Sequence, residues 1–116
     1  MSSVTIYHNP RCSKSRQTLS LLIEQGITPE IILYKESPVS TEQLSKIISL
    51  LGISPAELIR QSEPEFKALE ISIVDTSDEE LIREMAKTPV LIQRPIVVAN
   101  GQARIGRPPE IVLEIL

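Results

Sequence analysis

The chain opens with an alternation of apolar and polar positions, Val4-Thr5-Ile6-Tyr7, that predicts a short strand entering an interior. From Ser13 to Gln25 the period lengthens: Leu19, Leu22 and Ile23 form a helical stripe, and Gly26 supplies a C-terminal stop. Glu30-Ile31-Ile32-Leu33-Tyr34 is a second β-branched run. Strand, crossover helix and strand in this order make a βαβ unit, so the first two strands are expected to be parallel.

A more polar stretch follows. Ser40 with Gln43 predicts a capping box for a helix through Leu51, ended by Gly52. Ser54-Pro55-Ala56-Glu57 is a second helix start, leading to Leu58, Ile59 and Arg60. Ser77-Asp78-Glu79-Glu80 opens a third, running to about Lys87 before Thr88-Pro89. Ile96–Ala99, then Asn100-Gly101, then Gln102–Ile105 predicts a hairpin, because Asn-Gly suits a type I′ turn. Gly106-Arg107-Pro108-Pro109 then leads into a short terminal helix carrying Ile111, Val112, Leu113 and Ile115. The order β-α-β, helical insertion at about 40–90, β-β-α predicts a single α/β domain over residues 1–116. It is the order of a thioredoxin-like domain, a mixed sheet with helices on both faces.

Composition narrows the classes of function. At 116 residues the chain suffices for one domain, and Tyr7, Tyr34 and Phe66 are its only aromatics, so its core is aliphatic. A net charge of −3 supplies no electrostatic reason to bind nucleic acid. One cysteine precludes an internal disulfide, and one histidine without zinc-ligand spacing argues against a metal site. No secretory leader and no run of membrane-spanning length is evident, so a soluble, cytoplasmic protein is expected, where a thiol stays free. No large apolar surface stripe is left over, and a monomer is the expectation.

The candidate chemistry centres on that cysteine. Cys12 follows the turn signal Asn9-Pro10 and stands where the first helix begins, with His8, Arg11, Lys14 and Arg16 close in sequence. Unsatisfied amides at a helix N-terminus and neighbouring cations both favour a thiolate. The position where a dithiol oxidoreductase carries its second cysteine is Ser15, so the site is monothiol and needs an outside reductant. Ser15 has two readings, a donor to the thiolate or an ordinary first-turn residue. His8 likewise reads as thiolate support, by charge or hydrogen bond, or as a ring packed under the loop. Arg94 is held extended by Pro95, and in thioredoxin-like folds such a proline is usually cis and faces the cysteine. Arg107 lies between a glycine and two prolines, a rigid place for an anion-binding fork. Arg60, on a short helix, reads from its own surroundings as a solvated side chain.

His8-Asn9-Pro10-Arg11-Cys12-Ser13-Lys14-Ser15-Arg16, Arg94-Pro95-Ile96-Val97-Val98 and Gly106-Arg107-Pro108 together resemble the glutaredoxin-coupled arsenate reductases of the ArsC family. The similarity runs from Thr5 to Leu116 in the same order and spacing. It implies Cys12 as the nucleophile, Arg60, Arg94 and Arg107 as anion-binding arginines, and His8, Ser15 and Arg16 as thiolate support. It also implies arsenate as substrate, glutathione as co-substrate, glutaredoxin as partner and no tightly bound cofactor. The chain ends at Leu116, which suggests a short member without the C-terminal tail of the best-known resistance enzymes. Arg11 and Lys14 stand where those enzymes carry smaller residues. The alternatives are a monothiol glutathione-dependent oxidoreductase with another substrate, and a non-enzymatic, redox-responsive protein like the Spx regulators. Spx proteins typically switch through two cysteines, and Ser15 removes the second.

Overall fold

The computed structural model describes residues 3–116. They fall into two compact units, one made of the N-terminal residues through Ser37 with Arg94–Leu116, the other of Pro38–Gln93.

The first unit carries the sheet. Strand β1 is Val4–Tyr7, helix α1 Ser13–Glu24, β2 Glu30–Ile32, β3 Ile96–Ala99 and β4 Gln102–Ile105. The strand order is β2-β1-β3-β4. The β1–β2 pair is parallel, as the crossover requires, with Tyr7 opposite Ile32. β3 returns antiparallel against β1, pairing Tyr7 with Ile96, and β4 pairs antiparallel with β3, Ile96 opposite Ile105. The sheet is therefore mixed. Asn100 and Gly101 both take positive φ, the geometry of the expected I′ hairpin turn. The Asn100 side-chain amide donates to the Ile115 carbonyl at 2.7 Å, tying the turn to the chain terminus.

Alternation along β1 and β3 aims Ile6, Val97 and Ala99 at one face. There they meet Leu22 of α1 with Val112 and Ile115 of the C-terminal segment, all 2% exposed or less. That segment, Pro109–Ile115, is a 3₁₀ helix rather than an α-helix. Pro108 and Pro109 lack N–H groups for the first turn, and the segment closes with short-range bonds such as Ile111 N–H to the Pro108 carbonyl.

The second unit is helical. It holds α2 (Thr41–Leu51), α3 (Pro55–Leu58), α4 (Pro64–Ala68) and α5 (Asp78–Lys87), with 3₁₀ turns at Ile73–Asp75 and Pro89–Leu91. Ser40 and Gln43 form the anticipated reciprocal capping box, and Gly52 ends α2 in the left-handed region. The Ser77 hydroxyl caps α5 by accepting from the Glu80 N–H. Helix α5 packs on α2 and α3, burying Leu44, Ile48, Leu58, Leu81 and Met85. Helix α4 and the two 3₁₀ turns were not among the expected elements. Among the described residues, no helix is long and apolar enough to cross a membrane. No group of three or more His, Cys, Asp or Glu among them is placed to hold a metal ion.

Candidate active site

Strand β1 ends at Tyr7, and His8 N–H still donates to the Ile32 carbonyl at 2.8 Å, holding the outgoing chain to β2. Asn9 then builds the turn. Its side-chain oxygen accepts from Arg11 N–H at 3.0 Å, and its carbonyl accepts from Cys12 N–H at 3.0 Å. Pro10 and Arg11 cross the top, and Cys12 becomes the N-cap of α1 in an extended conformation. The Cys12 carbonyl starts the helix by accepting from Arg16 N–H. The thiol is free and only 9% exposed.

Opposing forces act on its charge. Burial pushes the thiol pKa up. The Ser15 amide, the Arg94 guanidinium (as hydrogen-bond donor and as cation) and the Lys14 amide together outweigh burial, leaving Cys12 below its ordinary value. The helix terminus thus acts through backbone N–H groups of the first turn. The side chains of Arg11 and Lys14 are exposed.

Arg94 and Arg107 arrive together on the hairpin. Both precede a proline through a cis peptide bond, Arg94–Pro95 as the thioredoxin-like order leads one to expect and Arg107–Pro108 in addition. Gly106 N–H donates to the Pro95 carbonyl at 2.9 Å, extending the β3–β4 ladder beyond Ile96 and Ile105. Arg107 Nε donates to the Arg94 carbonyl at 2.8 Å, and its Nη2 lies 3.6 Å from the Cys12 sulfur. Gly106 admits this close approach: a Cβ there would stand 2.5 Å from Thr18 Oγ1 and 2.9 Å from Pro95 Cγ.

Below the thiol, Ser15 is fully buried. Its hydroxyl accepts from Asn9 N–H at 3.0 Å and lies 2.6 Å from His8 Nδ1. Burial, and then the charge of Arg16, push the His8 pKa below its ordinary value and favour the neutral ring. Both influences work against a cationic His8 beside the thiolate. The Ser15 hydroxyl is engaged with His8 and Asn9, and it is the Ser15 amide that faces the sulfur. Arg16 is exposed and reaches back over the turn, donating from Nη1 to the Pro10 carbonyl at 2.9 Å.

The structure thus gathers His8, Cys12, Ser15, Arg94 and Arg107 in one unit. Arg60 belongs to the helical unit. There its N–H donates to the Leu91 carbonyl at 2.7 Å and its guanidinium pairs with Glu63. The structure adds roles for two further residues: Asn9, which builds the turn, and Tyr34, whose phenol feels the charges of Arg94, Cys12 and Arg107 and which no sequence motif marks.

Comparison with known proteins agrees with this geometry. Residues 7–115 match the ArsC family. The uncharacterized protein YfgD of Escherichia coli is 54% identical over 97% of this chain and 96% of its own. The arsenate reductase of Haemophilus influenzae is 46% identical over 98% of this chain and 99% of its own. The solved arsenate reductase of Vibrio cholerae is 52% identical and superposes with a TM-score of 0.95 over 98% of both chains. With a depressed thiol at the head of α1, two arginines on the adjoining hairpin and family similarity over nearly its whole length, the chain belongs to the ArsC family.

Proposed function

We propose that this protein reduces arsenate to arsenite, with Cys12 as nucleophile and glutathione and glutaredoxin as external reductants. The observation that carries the proposal is the Arg107 fork beside a thiol already held below its ordinary pKa. A tetrahedral oxyanion brings several negative oxygens to one atom. Two guanidinium groups and outward-facing helix amides are the donors that neutralise them. The family resemblance adds Arg60 as a third anion-binding arginine.

In this reading the Cys12 thiolate attacks arsenic, forming an S–As bond as one oxygen leaves as water. Glutathione then supplies the second thiol. Arsenic accepts two electrons and leaves as arsenite, and Cys12 and glutathione are joined in a mixed disulfide. The net change is arsenate plus two thiols giving arsenite, one disulfide and one water. Glutaredoxin takes the glutathionyl group and frees Cys12, a step required because Ser15 stands where a resolving thiol would otherwise be. Phosphate matches arsenate in shape and charge, so selection falls on the chemistry at arsenic rather than on binding.

Purified protein supplied with arsenate, glutathione, glutaredoxin, glutathione reductase and NADPH is expected to consume NADPH in proportion to arsenate. A rate no higher than that of Cys12→Ser would reject the reading and favour another substrate for the same thiol.

A further inference from the structure

Tyr34 is 2% exposed and its hydroxyl makes no close hydrogen bond; the Asn9 side chain acts on the phenol oxygen only as a donor, so the O–H proton is left without an acceptor. A buried hydroxyl in that condition destabilises a fold, because it has given up water and received nothing in exchange. Its position makes the exception informative. Tyr34 lies two residues beyond the end of β2, and β2 runs parallel to β1, so both strands deliver their C-terminal ends to the same edge of the sheet. The bond from His8 N–H to the Ile32 carbonyl fixes the two exits side by side. Beyond it a groove is lined by His8, Asn9, Pro10 and Arg11 on one side and by Leu33, Lys35 and the carboxylate of Glu36 on the other. Tyr34 itself is buried beside Asn9, whose carbonyl holds the Cys12 N–H, and the charges of Arg94, Cys12 and Arg107 all reach its phenol.

We propose that the Tyr34 hydroxyl is a hydrogen-bond donor to the oxyanion bound at Cys12. The ligand class rests on the arsenate-reductase reading; the donor role rests on the orphaned hydroxyl. An oxyanion oxygen held by Arg94 and Arg107 supplies the missing acceptor, and the phenol adds a neutral donor to two cationic ones. Such a donor must keep its proton, and here it does: burial pushes the Tyr34 pKa up to about 12, the nearby arginines notwithstanding. Donation to the thiolate is the competing role, but the hydroxyl makes no bond to the Cys12 sulfur.

Tyr34→Phe removes the hydroxyl and keeps the ring. Three measurements on the full chain decide the matter: protection of Cys12 from iodoacetamide by sodium arsenate, with sodium phosphate in parallel; the pH profile of alkylation without anion; and the thermal midpoint. The expected result is half-protection by either anion shifted roughly tenfold upward, the effect of losing one hydrogen bond to a charged group. The anion-free thiol profile should stay in place, and the thermal midpoint should be equal or higher. Unchanged protection overturns the proposal. So does a shifted anion-free profile, which would assign the hydroxyl to the sulfur, and so does a wild-type protein protected by neither anion. If arsenate protects wild-type Cys12 but the coupled assay shows no turnover, the reductase reading fails while the Tyr34 result still stands on the protection data.

Discussion

Arg107 and Cys12 are 95 positions apart in the chain, yet the Arg107 guanidinium lies 3.6 Å from the thiol sulfur. The same side chain donates through Nε to the Arg94 carbonyl. One planar fork therefore spans from the nucleophile to the backbone that enters β3, and its orientation is set before any anion arrives. Preorganisation of this kind is where electrostatic stabilisation in a site is most effective.

The two arginines are expected to separate in mutagenesis. Arg94 acts on the thiol itself, so Arg94→Ala leaves burial less opposed and should raise the Cys12 pKa. Alkylation near neutral pH should slow by up to about tenfold, the equivalent of one pKa unit. An unshifted alkylation profile would assign the depressed thiol to the helix amides alone.

Arg107→Lys keeps the charge and loses the fork. A lysine ammonium cannot span from the Arg94 carbonyl to the thiol with fixed planar geometry. Arsenate protection of Cys12 should weaken about tenfold, within the range for a hydrogen bond to a charged group. Wild-type protection in this variant would show that charge alone suffices.

His8 sets an acid limit. Its folded pKa lies below the ordinary value, so between the two the unfolded chain binds more protons than the native one. The stability it contributes is complete above about pH 6.5 and is lost as the pH falls through the lower folded value. Urea unfolding at pH 7 and pH 5 should show a larger loss for wild type than for His8→Asn, whose amide can meet Ser15 without titrating. Parallel losses would place the acid sensitivity elsewhere.

Ser15→Ala tests support for the loop separately from support for the thiol. The substitution leaves His8 Nδ1 and Asn9 N–H without their shared buried partner. A loss of about 2 kcal/mol in urea unfolding is expected. The alkylation profile of Cys12 should barely move, because the Ser15 backbone N–H remains. A large upward shift of the thiol pKa would mean that the hydroxyl also serves the sulfur.

Gly106→Ala should destabilise by about 2 kcal/mol through overpacking. The added methyl meets Thr18 Oγ1 at 2.5 Å, Thr18 Cγ2 at 3.2 Å and Pro95 Cγ at 2.9 Å. Thr18→Ala in the same chain removes two of these contacts and should restore part of the loss, as read by thermal unfolding. No rescue would put the strain on Pro95.

Local signals carried much of this structure. The strand-turn-helix around Cys12, the Asn100-Gly101 hairpin and the Ser40–Gln43 capping box are each specified by a few adjacent residues, and all form as the pattern predicts. Helix α4 eluded the pattern because Pro64–Ala68 is too short to show a helical period. The last segment carries the apolar residues of a helix, but two prolines at its start turn it toward 3₁₀ geometry. The antiparallel return of β3 beside β1 is a long-range pairing that no window of sequence contains. In sequence Tyr34 only closes the second β-branched run; only in three dimensions does its hydroxyl stand out as buried without a close hydrogen bond.

The ladder from Ile96–Ile105 through Gly106 and Pro95 makes Arg94 and Arg107 tips of a single pair of tweezers, joined at Asn100-Gly101. Their spacing is inherited from strand pairing rather than set by either side chain. One extra residue in the turn, with β3 held in place, would slip β4 and reverse the faces of its side chains, carrying Arg107 away from the sulfur. The hairpin is thus the natural cassette for redesign: exchanged whole, in register, it moves both cations at once, whereas a change in its length disarms the pair.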